Sequence, residues 1–150
     1  MTPAFRLATL LKLRQRQRDQ AGQALAEVRF AITTLETQIQ ELDERNRSMD
    51  GIRKSSSHGK VELSRILDAQ RYQITLTAQA AQLTQNRSLL LQELERRQKH
   101  LLKCQQSLRS LEKLQEHHAR RNEEELRKRE QHRLDEWSQT RFAATPETRS

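Results

Sequence analysis

From Leu25 to Leu42 the apolar residues Leu25, Val28, Ile32, Leu35, Ile39 and Leu42 recur at intervals of 3, 4, 3, 4 and 3. A repeat averaging 3.5 residues draws one narrow line along an α-helix. A second helix, wound left-handedly around the first, is what buries such a line. Downstream the line passes through Asn46 and Met49, and upstream through Ala21, Arg18, Arg14, Leu11 and Leu7. An Asn in the seam weakens packing but can hold register, and two Arg in it predict a looser N-terminal end. A second seam runs through Ile66, Ala69, Leu76, Ala80, Leu83, Leu90, Leu94, Leu101, Cys104, Leu108 and Leu111, interrupted by Gln73, Arg87 and Arg97. Leu67, Leu89, Leu91, Leu102 and Leu114 stand beside it and are expected to widen the apolar stripe.

The pattern predicts a first helix over about residues 3–49, with Thr2 as N-cap and Pro3 at the first helical position, where its missing N–H costs nothing. Residues 50–60, DGIRKSSSHGK, hold two of the three Gly and three consecutive Ser, and read as the connection of an αα-hairpin. A second helix follows over about 61–141, with a frayed tail over 142–150 beyond it. The expected fold is therefore all-α, a single domain forming an antiparallel two-helix coiled coil. At about 1.5 Å per residue the helices are roughly 70 and 120 Å long, so the second overhangs the first. From His117 to Glu136 only Ala119, Leu126 and Leu134 are apolar, as an exposed single helix requires. One two-helix seam buries little area, so modest stability is expected of the free chain.

Composition supports a rod rather than a compact core. Hydrophobic residues make up 33% of the 150 and aromatics 3%, against 32% charged. Abundant Leu, Gln, Glu, Arg and Ala favour helix over disorder. The net charge is +8, yet acidic residues are interspersed with basic ones along most of the chain, which suits a solvated helix face. The lone Cys104 allows no internal disulfide and suits a reducing compartment. Apolar runs are as short as Leu89–Leu91, far below a membrane span, and the N-terminus lacks an apolar signal core. Its basic opening superficially resembles a transit peptide but continues into the heptad pattern without a break.

Enzyme chemistry has no foothold in the sequence. There is no phosphate-binding glycine loop, nucleophile elbow or metalloprotease motif. A helix pair also offers no pocket that excludes water. No catalytic residue, cofactor or metal site is expected. His117 and His118 are neighbours, about 100° apart around a helix, and cannot face one ion; His132 stands alone. Cys104 lies on the seam and reads as a small core residue. The basic cluster Arg6, Lys12, Arg14, Arg16 and Arg18 leaves a nucleic-acid-binding coiled coil as an alternative, though without a groove-reading module or stacking aromatics. A generic structural coiled coil that homodimerises is a further alternative.

Both ends of the chain, FRLATLLKLRQRQRDQAGQAL and LEKLQEHH…EEELRKREQHRLDEWSQTR, resemble the FliJ family of flagellar export proteins. The matching features are Leu7, Leu10 and Leu11, then Arg14, and Glu130, Gln131, Asp135 and Glu136 near the C-terminus, with the hairpin break and the longer second helix. The resemblance implies a non-enzymatic part of the type III export apparatus, cytoplasmic and peripherally associated with the inner membrane at the flagellar base. Such proteins look like the central stalk of a rotary ATPase. They bind a hexameric export ATPase, link it to the membrane export gate and serve export chaperones. The stalk proteins of virulence secretion share this architecture. The resemblance places ATPase contacts at Leu7, Leu10, Leu11, Arg14, Glu130, Gln131, Asp135 and Glu136, and we extend the set to Arg121, Glu125 and Leu134. The family's gate contact resembles an aromatic with a Leu one turn later, which Tyr72 and Leu76 match, with Gln38 and Leu42 expected nearby. Arg45 departs from the family's pattern on that surface.

Overall fold

The computed structural model describes residues 3–55 and 62–144. Helix α1 spans Pro3–Ser55 and helix α2 spans Glu62–Ala144. The two are packed against each other, and the described residues contain no strand. They divide between two compact units. One is Arg16–Gln105, and the other joins Met1–Gln15 to Gln106–Ser150.

In the unit of residues 16–105 the heptad line is the packing line. On α1, Ala21, Leu25, Val28, Ile32 and Leu42 are buried, and Leu35, Ile39, Asn46 and Met49 are half-buried. On α2, Ala69 and Leu76 are buried, with Ile66, Ala80, Leu83, Leu90 and Leu94 half-buried. No described side chain is wholly enclosed, because two helices cover each other along one line only and leave both flanks open to water. Leu67, Leu89, Leu91 and Leu102 do not widen that line, and neither does Leu114 in the other unit. All five are exposed. They project one or two heptad positions away from the seam, where only a third helix could cover them.

The polar residues that interrupt the seam stay within it and bond across it. Arg87 meets Glu36 through Nε at 3.0 Å and Nη2 at 2.9 Å. Arg97 donates from Nη1 to the Ala24 carbonyl at 2.6 Å and from Nε to Glu93 at 2.9 Å. Gln73 donates to Asp50 Oδ1 at 2.6 Å and accepts from Arg53 at 3.3 Å. The partner numbers on α1 rise from 24 to 36 to 50 as those on α2 fall from 97 to 87 to 73, so the helices run antiparallel. Each exposed ion pair adds only about 0–1 kcal/mol. Their larger effect is on register, since a slip of one heptad separates every one of these pairs.

Those bonds also explain where α1 ends. It was expected to stop near Met49, but Asp50, Gly51, Ile52, Arg53, Lys54 and Ser55 continue the helix. Gln73 holds Asp50 and Arg53 from across the seam. Arg53 and Lys54 in the last turn suit the negative end of the helix dipole. Ser55 Oγ closes onto the Ile52 carbonyl at 3.1 Å. The rest of the expected connection, 56–60, lies outside the described residues, as does 61. Helix α2 likewise runs past Arg141 to Ala144, so Phe142 to Ala144 are helical where a frayed tail was expected. The Arg141 guanidinium lies 4.8 Å from the Trp137 ring centroid and supports the last full turn. Residues 145–150 of that tail lie outside the described residues.

In the second unit, Leu7, Leu11 and Arg14 on α1 are half-buried, while on α2 Leu108 is buried and Leu111 half-buried. From Lys113 to Ala144 every residue of α2 is exposed.

Two measurements follow from helix interiors that carry unfavourable residues. A Cβ added at Gly22 or at Gly51 meets nothing within 4 Å. Each Gly→Ala change is therefore expected to stabilise the chain by about 0.5–1 kcal/mol, read as a rise in thermal midpoint by circular dichroism. Asn46 Oδ1 is buried with no donor reaching it among the described residues. Asn46→Leu is expected to raise stability by about 1–3 kcal/mol in urea titration, the usual cost of an unsatisfied buried polar atom.

Candidate partner-binding surfaces

With Leu25 of α1 and Ile66 of α2 at heptad position a, position d falls on Val28 and Ala69. On a helix, position g borders d and position e borders a, so the paired helices show two different flanks. The interhelical bonds sort themselves accordingly. Arg97, at d, reaches Ala24 at g, whereas Gln73 and Arg87, at a, reach Asp50 and Glu36 at e.

The g flank of the 16–105 unit carries two shallow hollows. One is lined by Gln38, Glu41, Leu42 and Arg45 of α1 and by Gln79, Gln82 and Leu83 of α2. The other is lined by Met49, Ile52 and Ser55 against Arg65, Asp68, Ala69 and Tyr72. The expected gate-contact residues are thus split. Gln38 and Leu42 share the first hollow with Arg45, while Tyr72 stands in the second. Leu76, one turn after Tyr72, is 2% exposed, and Leu42 is 8% exposed. These two leucines shape the flank from below and offer a partner almost no surface. Gln38 and Tyr72 are exposed. Ile52 was not singled out beforehand. It sits in a stretch whose Gly and Ser signalled a loop, and its place one helical step beyond Met49 becomes visible only once α1 is known to continue.

The expected ATPase-contact residues all fall in the other unit, in two groups. Leu7, Leu11 and Arg14 are half-buried, and Leu10 is exposed at their edge. Arg121, Glu125, Glu130, Gln131, Leu134, Asp135 and Glu136 lie on the fully exposed part of α2. At about 100° per residue they do not share a face. Arg121, Glu125, Gln131, Asp135 and Glu136 fall within an arc of about 140°, and Glu130 and Leu134 point to the opposite side. That opposite side also carries Leu126 and Trp137, both exposed. Neither residue is among the expected contacts. Their signal was a spacing of 8 and 3 residues through Leu126, Leu134 and Trp137, which marks an apolar line without a heptad partner.

This stretch can form weak, reversible contacts on all sides, polar on one and a mixture of charged residues with Leu126, Leu134 and Trp137 on the other. Among the described residues no group of His, Cys, Asp and Glu could hold a metal ion. His117, His118 and His132 are exposed. Cys104 is half-buried on the seam, with Sγ 3.7 Å from His100 Nε2.

A family model described as the flagellar FliJ protein matches residues 3–147, nearly the whole chain. No curated protein and no solved structure matches the chain.

Burial separates support from surface in a way that stability can test. Leu76→Ala is expected to lower unfolding free energy by about 2–5 kcal/mol, as removal of a buried leucine does. Tyr72→Ala, one turn away and exposed, is expected to change it by less than about 1 kcal/mol in the same urea titration.

Proposed function

Because the chain belongs to the FliJ family of flagellar proteins and so takes part in flagellar protein export, we propose that it is the stalk of the export machinery. In this reading it binds the hexameric export ATPase, links that ring to the cytoplasmic part of the membrane export gate, and serves export chaperones. It carries out no chemistry of its own. It acts in the cytoplasm, peripherally associated with the inner membrane at the flagellar base. No helix among the described residues is long and apolar enough to cross a membrane.

One observation supports the stalk reading above the others: α2 is fully exposed from Lys113 to Ala144, with acidic and basic residues on every side and Leu126, Leu134 and Trp137 set among them. A helix inside a ring pore meets several subunits at once. Polar contacts from Gln131 and Asp135 on one side, and limited apolar contact from Leu134 on the other, keep each attachment weak enough to exchange between subunits. A continuous apolar face would lock the helix to one of them. Leu7, Leu10, Leu11 and Arg14, near the start of α1, belong to the same unit and supply a second contact group. For the gate we propose the g flank of the other unit, with Gln38 and Tyr72 at its surface and Leu42 and Leu76 beneath them.

The test is ATP hydrolysis by the cognate ring ATPase, titrated with this protein. Wild type is expected to stimulate hydrolysis. Gln131→Ala/Asp135→Ala removes two polar contacts worth about 1–3 kcal/mol together, so half-maximal stimulation should need about tenfold more protein. Helicity should stay unchanged, because both residues are exposed. Absence of stimulation by wild type at saturating protein would dismiss the stalk reading.

A further inference from the structure

Over residues 96–121 helix α2 distributes its charge unevenly around its axis. Positions f, c and g lie side by side on a helix in this heptad, away from e and b. Twelve residues of the stretch occupy them. Six are basic (Arg96, Lys99, Lys103, Lys113, Arg120 and Arg121), two are His and none is acidic. The stripe is bounded by acids at the same positions, Glu93 before it and Glu124 after it. Positions e and b of the same stretch hold Glu112 and Glu116, and the one cation among them, Arg109, reaches both from Nη1, at 3.5 and 3.8 Å. On α1 the first acid at c, f or g is Glu27.

The cations of the stripe also differ in how they are held. Arg96 and Lys99, at its start, lean back on Glu93 and Glu95 at 3.2 and 3.4 Å. Lys103, Lys113, Arg120 and Arg121 are exposed and pair with no acid among the described residues. The seam cations Arg87 and Arg97 are used otherwise, since each meets a carboxylate, Glu36 or Glu93, at 2.9 Å. Four unpaired cations with no acid among them concentrate positive potential on one side of the helix. Neither the pairing of the helices nor their register draws on any of the four.

We propose that this stripe is a landing surface for an anionic phospholipid membrane. The proposal rests on the peripheral membrane location given above and supplies it with a direct lipid contact. A partner helix needs an apolar line to pack on, and the stripe offers a single Leu, Leu114. A nucleic-acid strand is held by stacking aromatics as well as by charge, and the stripe has none. Lys103, Lys113 and Arg120 stand at intervals of 10 and 7. An acidic protein surface would have to match that spacing with fixed carboxylates. Lipid headgroups diffuse in the bilayer and gather beneath cations wherever these stand, and a net charge of +8 draws the chain toward them. Glu112 and Glu116, turned to the other side and tied to Arg109, leave the stripe as the side that meets the bilayer.

Co-sedimentation of the full-length protein with vesicles tests this. Vesicles of phosphatidylcholine with about 30% phosphatidylglycerol are expected to bind it at low salt, pure phosphatidylcholine vesicles are not, and about 0.5 M salt should release it. Each cation removed from the stripe should weaken partitioning by about fivefold, so Lys103→Gln/Lys113→Gln/Arg120→Gln should weaken it by about a hundredfold. Arg29→Gln/Arg47→Gln/Arg71→Gln removes the same charge from exposed positions outside the stripe and should weaken it by less than about tenfold. All six residues are exposed, and unchanged helicity by circular dichroism checks the fold of both variants. No binding to the anionic vesicles at low salt overturns the proposal, and so does equal loss in the two triple variants, which would make net charge alone the cause. A short single-stranded RNA bound more tightly than the vesicles, and lost in the stripe variant, overturns it too and makes nucleic acid the occupant. Stimulation of the ring ATPase should be unchanged in the stripe variant, because none of its three residues is among the proposed ring contacts. Failure here is thereby distinguished from failure of the stalk reading.

Discussion

Everything in this protein depends on a seam one side chain wide. Two helices can cover each other only along a line, and here that line is Leu25, Val28, Ile32 and Leu42 against Ala69 and Leu76, extended by half-buried neighbours. Apolar burial of this kind is non-directional, and a seam of similar aliphatic residues can slide by a heptad at small cost. The polar residues set into it prevent that. A slip of one heptad breaks the ties of Arg87 to Glu36, Arg97 to the Ala24 carbonyl and Gln73 to Asp50, and Asp43 can then stand in for Glu36 or for Asp50 but not for both. Stability comes from the leucines, and alignment comes from the polar residues that interrupt them.

A narrow seam has a second consequence. It consumes positions a and d and leaves every other face of each helix in water, so surface that a compact domain would bury is available for partners. The polar ties then make the two flanks chemically different. The residues at d bond toward g, and those at a bond toward e. One flank is left with open hollows around Leu42 and Tyr72, and the other with the ties of Arg87 to Glu36 and Gln73 to Asp50. The stalk role we propose requires one small protein to meet several larger ones. A helix pair with distinct flanks, together with an exposed helical segment beyond Glu112, offers separate surfaces without needing separate domains.

How much of this could be read beforehand depended on whether a position's fate was set locally. Heptad intervals reveal a buried line because burial along a helix pair follows periodicity alone, and every seam position from Leu7 to Met49 is at least partly shielded. Helix ends were harder. Asp50–Ser55 looked like a loop because Gly51 and the serines weaken a helix locally, but contacts from Gln73, far away in sequence, keep those residues helical. Leu67, Leu89 and Leu91 looked like core because they are leucines beside a seam. With two helices there is no third wall to cover them. Leu76 looked like a contact residue by resemblance, yet burial removes it from the surface. Leu126 and Trp137 escaped notice because their line has no partner within the chain to give it meaning.

The sequence by itself determined the fold class, the pairing line and the family, because each of these follows from residue order and composition. Only the tertiary structure decided which polar residues face each other across the seam, where α1 ends, and which exposed residues share a flank. Those outcomes rest on register, and register is a relation between two helices. Intervals within one helix cannot express it. It emerges when Arg87 finds Glu36 and Gln73 finds Asp50.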